Sequence, residues 1–220
     1  MAEIPNRSWE KCIASWKKYC PGWEIIEWNE SNFDVNQNGY TKMCIEQKKY
    51  AFLSDYARVR VVAEHGGVYF DTDVELLRPI DALLENEAFF GFETPLYVAS
   101  GLGFGSVAHG TVIEAMVREY DFLLDGPQGT RGCPRLNTQT LERLGLVRDG
   151  SRQTVAGALI LPVEYLNPYE SDTGRLKKTA NTYSVHWYSA TWMSGGQRLR
   201  SAITRPLHRI FGTDFFRKHR

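Results

Sequence analysis

The sequence predicts an α/β domain with a mostly parallel central sheet and an acidic site at the carboxyl end of one strand. Three observations carry this. Helical and strand-like periodicities alternate along the chain. An apolar content of 43% over 220 residues is ample for one core. One short apolar strand, entered through Gly66-Gly67, runs into Asp71-Thr72-Asp73. In open α/β sheets ligands bind beyond the carboxyl ends of the strands, and there the two aspartates belong.

The elements follow in order. Over residues 8–20, Trp9, Ile13 and Trp16 recur at i, i+4, i+7 and Pro21-Gly22 ends the run, which predicts a helix. Trp23–Trp28 reads as a strand before a polar loop. Residues 40–65 read as one long helix with Phe52, Tyr56, Val59 and Ala63 as its apolar stripe, closed by Gly66-Gly67. On it Asp55 and Arg58 stand three apart. That spacing fits a surface ion pair worth a few tenths of a kcal/mol, and it equally fits a pair delivered to a ligand by the strand that follows. Ala88–Glu93 reads as a buried strand. The Gly101–Gly105 run lacks the spacing of a phosphate-binding loop and reads as a closely packed or flexible segment. Residues 109–124 read as an amphipathic helix, 125–136 as a Gly/Pro-rich binding loop, and Asn137–Leu144 as a helix. Ala158–Leu161 and Tyr183–Trp187 read as strands.

Along the strand through Asp71 and Asp73, side chains alternate. Tyr69, Asp71 and Asp73 therefore share one face, with the carboxylates about 6–7 Å apart. Two hard oxygen ligands suit Mn²⁺ or Mg²⁺ with substrate phosphates completing the shell. A bare Asp-x-Asp also occurs by chance at a solvated strand end, so the Gly-Gly entry and apolar strand carry the weight.

Formal net charge is zero, which gives no global attraction to nucleic acid. The four cysteines form no Cys-x-x-Cys pair, which fits free thiols in a reducing compartment. No long apolar run or leader stands out, and a cytoplasmic chain is the expectation. The last stretch differs. Over 198–220 seven Arg and Lys residues oppose Asp214, a charge of +6, with apolar residues at helical spacing. This predicts a domain over 1–196 and a basic amphipathic tail over 197–220. The tail reads either as a packed helix or as a contact with an anionic membrane at its inner face.

Together, Lys49–Arg58 and Gly66-Gly-Val-Tyr-Phe-Asp-Thr-Asp-Val74 resemble the DXD sugar-binding region of family-32 glycosyltransferases, and His186-Trp-Tyr-Ser-Ala-Thr-Trp192 resembles their closing His…Ser-Trp element. The likeness spans about residues 8–195. It implies a GT-A-like (Rossmann-like) fold and a retaining, Mn²⁺- or Mg²⁺-dependent transfer of sugar from a nucleotide-diphosphate sugar, UDP favoured. The acceptor would be a glycan or lipid-linked glycan in surface polysaccharide synthesis. By the family's pattern Asp71 touches ribose and metal, Asp73 and His186 bind the metal, and Asp55 and Arg58 hold the donor sugar's hydroxyls. Tyr69 lines the nucleotide pocket, Thr191 and Trp192 bind the diphosphate, and Asn137 is a further donor-binding candidate. Thr191 stands where the family usually has Ser and keeps the hydroxyl. The family's opening apolar strand has no counterpart before the first helix, which predicts weak discrimination between bases. The alternatives are a catalytically weak sugar- or metal-binding remnant and a metal-dependent nucleotidyltransferase. The second needs a phosphate-cradling loop that the first residues do not offer.

Overall fold

A computed structural model describes residues 9–189. Thr191, Trp192 and the segment 197–220 lie outside these residues. Helix α1 (Trp9–Tyr19) carries Glu10 in its first turn and Lys17 and Lys18 in its last, the arrangement the helix dipole favours. Its inward side is set by Cys12, Ser15 and Trp16 rather than by Trp9, which is exposed. The Trp16 indole donates to the carbonyl of Val74 at 2.7 Å, and Ser15 Oγ accepts from the Leu76 amide at 2.8 Å. The first helix thus anchors the strand just beyond the acidic pair.

The stretch 40–65 forms two helices, not one. Asn38 caps α2 (Gly39–Glu46) through a reciprocal capping box with Thr41. Lys48, at φ 54°, breaks the chain before α3 (Tyr50–His65). Gly66 and Gly67 end α3 with φ of 68° and 105°, and a Cβ on Gly66 would lie 2.8 Å from the Ala108 amide nitrogen. Only glycine makes that exit without strain.

Next come β1 (Gly67–Tyr69), β2 (Val74–Leu76), β3 (Ala88–Thr94), β4 (Tyr97–Val98) and β5 (Phe104–Ser106). They are followed by α4 (Thr111–Arg118), α5 (Cys133–Arg143), β6 (Gln153–Val155), β7 (Ala158–Leu161), α6 (Val163–Leu166), β8 (Tyr169–Glu170), β9 (Arg175–Leu176) and β10 (Ser184–His186). The main sheet has the order β1-β5-β3-β7-β6, with β4 paired to β3, and small two-stranded ladders join β10 to β2 and β8 to β9.

The predicted mostly parallel sheet is corrected here: among the described residues only β3 and β7 pair in parallel, and the other ladders are antiparallel. A parallel neighbour needs a long crossover. Helices α4 and α5 supply one between β3 and β7, whereas the short connections around β5 return the chain antiparallel. Because β5 opposes both β1 and β3, strands β1, β3 and β7 still run in one direction. Their carboxyl ends share one edge.

Residues 23–28 form no strand. No described segment pairs with them, and Ile25 and Ile26 are exposed. The Trp28 ring instead stacks on His65, with centroids 5.2 Å apart.

Apolar side chains alternate through β3. Phe90 and Phe92 pack with α2 to α5 in one core cluster, and Phe89 packs with Leu76, Leu159 and Leu166 in the other. The Gly101–Gly105 run is closely packed: a Cβ on Gly103 would stand 2.6 Å from Phe70, and one on Gly105 2.5 Å from Phe89. No helix of the described residues is long and apolar enough to cross a membrane.

Candidate active site

Asp71 and Asp73 sit in the turn between β1 and β2, not on a strand face, with the Val74 amide donating to the Asp71 carbonyl at 2.9 Å. The turn is held from below by Phe70, whose ring lies 5.5 Å from that of Trp16. Two differently built groups of side chains meet there.

The first group grows from α3. Arg58 is 5% exposed, which removes the surface-pair reading. Its Nη2 stands 3.1 Å from Asp55 Oδ1 and 3.3 Å from Asp71 Oδ1. Nε and Nη2 also donate to the Ser54 carbonyl and hydroxyl, both at 3.2 Å. The guanidinium lies 5.2 Å from the centre of the Tyr69 ring, whose hydroxyl donates to Asp71 Oδ1 at 2.9 Å. The amide of Cys133, at the start of α5, reaches Asp55 Oδ2 at 3.4 Å. Burial opposes the charge on Arg58, yet Asp71, Tyr69 and Asp55 together hold it more firmly protonated than an ordinary arginine. Burial raises the Asp55 carboxyl above its ordinary value, with Arg58 opposing. Burial also raises the Tyr69 hydroxyl, followed by the charge of Asp71, so this group remains a donor.

The second group is brought in by the late strand β10, which pairs His186 with Val74. His186 Nε2 lies 3.1 Å from Asp73 Oδ1. The Ser189 amide and hydroxyl donate to Asp73 Oδ2 at 2.8 and 2.9 Å, and the Trp187 amide donates to the Asp73 carbonyl at 3.0 Å. Burial works against the Asp73 charge, but the His186 contact and the two Ser189 bonds hold its carboxyl far below the ordinary range. Asp73 is thus an anion across the working pH range.

Sequence reasoning brings Asp55, Arg58, Tyr69, Asp71, Asp73 and His186 to one place, and the structure does gather them. Asn137 differs: it is 1% exposed inside α5, and both its side-chain amide atoms lack a partner among the described residues. Sequence reasoning missed Ser54, which holds Arg58; Cys133 and Ser189, which hold Asp55 and Asp73; and Glu93 with Tyr188 at the end of β3. Ser189 lies inside the His186–Trp192 element that drew notice. Glu93 could have been found as the one carboxylate closing an otherwise apolar strand.

The donor set fits a divalent cation. One ligand atom from each of Asp71, Asp73 and His186 falls within 4.8 Å of the others. Asp55, Asp71 and Asp73 face the guanidinium of Arg58, so carboxylates outnumber the arginine in the cluster. Two carboxylates and an imidazole are a ligand set that a divalent cation can use.

The arrangement is that of an α/β protein with an acidic turn, able to hold a cation, at the carboxyl edge of its sheet. Residues 6–90 match the family described as the glycosyltransferase sugar-binding region containing DXD motif. The chain is also 30% identical, over 119 residues, to alpha-1,4-N-acetylglucosaminyltransferase of Homo sapiens, a match covering 52% of this chain and 32% of that enzyme. Both similarities are to glycosyltransferases. The chain spans about a third of the human enzyme's length.

Proposed function

We propose that this chain is a metal-dependent glycosyltransferase that moves a sugar from a nucleotide-diphosphate sugar, a UDP-sugar, to a glycan acceptor with retention of configuration. The observation that carries the reading is the acidic turn joined to a buried Arg58, because the two parts of such a donor need different chemistry. A diphosphate needs a cation held by carboxylates, which Asp71, Asp73 and His186 can hold. A sugar needs fixed donors and acceptors, which Asp55 and Arg58 offer. When bound, Mn²⁺ or Mg²⁺ would stabilise negative charge developing on the leaving diphosphate. The chain's own residues do the rest. Asp73 is held ionised by His186 and Ser189, the charge state that a cation ligand needs. Tyr69 lines the nucleotide side and fixes the Asp71 carboxylate through its hydroxyl. Thr191 and Trp192 follow the last described residue, Ser189, which contacts Asp73, and we assign them the diphosphate. The tail over 197–220, with its +6 charge, brings the domain over 1–196 to an anionic membrane face where a lipid-linked acceptor is built.

The test is a screen of UDP-glucose, UDP-galactose, UDP-N-acetylglucosamine and GDP-mannose for turnover with Mn²⁺ and with EDTA. Turnover of one donor that EDTA abolishes is the expected result. Full turnover in EDTA removes the metal role. Binding of nucleoside diphosphate with no turnover of any donor favours a binding remnant.

A further inference from the structure

We propose that Glu93 is an acceptor-binding residue: its carboxylate takes a hydrogen bond from a hydroxyl of the saccharide that receives the sugar. The inference rests on the functional reading above and adds a residue to it.

Topology places Glu93 first. It stands near the end of β3, which runs in the same direction as β1, so Glu93 and the Asp71–Asp73 turn lie at one edge of the sheet. The five residues before it in β3 are apolar or glycine and buried, and the strand has no packing use for a carboxylate. The backbone there is fixed, since Asn167 Nδ2 donates to the Glu93 carbonyl at 3.0 Å.

The side chain is held but not satisfied. Oε1 accepts from the Tyr188 hydroxyl at 3.2 Å. Among the described residues Oε2 has no hydrogen-bond partner and no cationic side chain forms an ion pair with Glu93. Tyr188 in turn lies with its ring 4.0 Å from that of His186, and its backbone takes φ 47°, a conformation unfavourable for a tyrosine. The strained residue thus ties Glu93 to the cation cluster. Through Tyr188, Glu93 is joined to the His186 side of the donor site, and the charge of Asp55 is felt at its carboxylate.

A partly buried carboxylate with an unused oxygen seeks hydroxyl or amide donors. The donor sugar already has Asp55 and Arg58, and the diphosphate has the acidic turn. The remaining reactant is the acceptor, whose class is a polyhydroxylated saccharide.

The experiment uses the full chain with Mn²⁺ and the donor found in the screen. Methyl glycosides of galactose, glucose, mannose and N-acetylglucosamine serve as acceptors, with calorimetry of UDP and GDP alongside. For Glu93→Ala, kcat/KM for the acceptor falls about 10–100-fold, mainly through KM, as loss of a hydrogen bond to a charged group implies. Glu93→Gln, which keeps one acceptor oxygen, lies between the two, and nucleoside diphosphate affinity stays within about threefold in both variants. A kcat/KM within threefold of wild type for Glu93→Ala overturns the inference. Donor and acceptor constants rising together also overturn it, because that is the mark of a merely structural role. A wild-type chain that binds neither diphosphate and turns over no donor fails differently: it removes the functional reading itself, and the inference with it.

Discussion

The two halves of the acidic site hold their carboxylates in opposite ways. Around Arg58 the anions are balanced by a buried cation: the guanidinium meets Asp55 and Asp71 within 3.3 Å and donates to Ser54 from Nε and Nη2. Around Asp73 no arginine or lysine takes part among the described residues, and the charge is held by an imidazole, a hydroxyl and an amide. Removing the centre of the first half strands two charges inside the protein. Removing a member of the second leaves polar groups behind, not a pair of like charges. The first half is built to keep its shape, whereas the second has partners that a cation and its ligands could replace.

The sharpest break of this comparison is Arg58→Ala. Leaving Asp55 and Asp71 without their cation should cost about 3–5 kcal/mol of stability. The melting temperature should fall by about 10 °C or more at this chain length, with donor turnover lost as well. A variant that melts within 2 °C of wild type would show that Arg58 is not the centre of a buried charge cluster. Asp73→Asn tests the other half. Its fold should survive, with a stability loss smaller than that of Arg58→Ala, while turnover drops by about 10³-fold or more because one charged ligand of the leaving-group cation is gone. Stability loss as large as that of Arg58→Ala would erase the distinction between the halves.

Much of this contrast was legible in the chain, and the illegible part has a physical cause. Asp71, Asp73, Asp55 and Arg58 were found by local spacing, since a turn and one helix bring them together within 20 residues. Their burial was not legible. An Asp and Arg three apart on a helix look the same on a surface as under α5, and only the packing of Cys133 against Asp55 decides it. The parallel sheet was expected because helices and strands alternate, but alternation does not reveal that β5 returns between β1 and β3. Strand 23–28 failed for a related reason. Its Trp and Ile residues suit a strand, yet a strand exists only with a partner, and none of the described residues provides one. Glu93 was missed because periodicity counts a single carboxylate at a strand end as punctuation.

A finer comparison asks how much one hydrogen bond contributes in each half. Tyr69→Phe removes the hydroxyl that Asp71 accepts from, deep beside Arg58. Ser189→Ala removes one of two donors to Asp73 Oδ2 and leaves the backbone amide in place. Tyr69→Phe should cost about 1.5–3 kcal/mol, the range for a bond to a charged group, and Ser189→Ala about 1 kcal/mol. Thermal melts of both variants at one pH measure the difference. Equal costs would mean that Asp71 relaxes to another donor and that the first half is less rigid than its contacts suggest.

The smallest effect separates Glu93 from both halves. Burial raises its carboxyl above the ordinary glutamate value, with Tyr188 and then His186 opposing and Asp55 adding to the rise. The folded protein therefore binds this proton more tightly than the unfolded chain does. The stability gained is fully present below the ordinary glutamate range and is lost as pH rises through the raised value. Above that window wild type carries a partly buried charge without a cation. Glu93→Gln carries none and cannot titrate. The variant should match wild type near pH 4 and be the more stable protein at pH 7, by less than about 1 kcal/mol or about 2–3 °C. Asp73→Asn should behave in the opposite sense, losing stability at pH 7, because the Asp73 charge is stabilised by its fold. Melts of both variants across pH 4 to 8 test this. A Glu93→Gln chain less stable than wild type at pH 7 would mean that the carboxylate is a structural anchor like Asp73, and would set Glu93 beside His186 and Ser189 rather than facing a substrate.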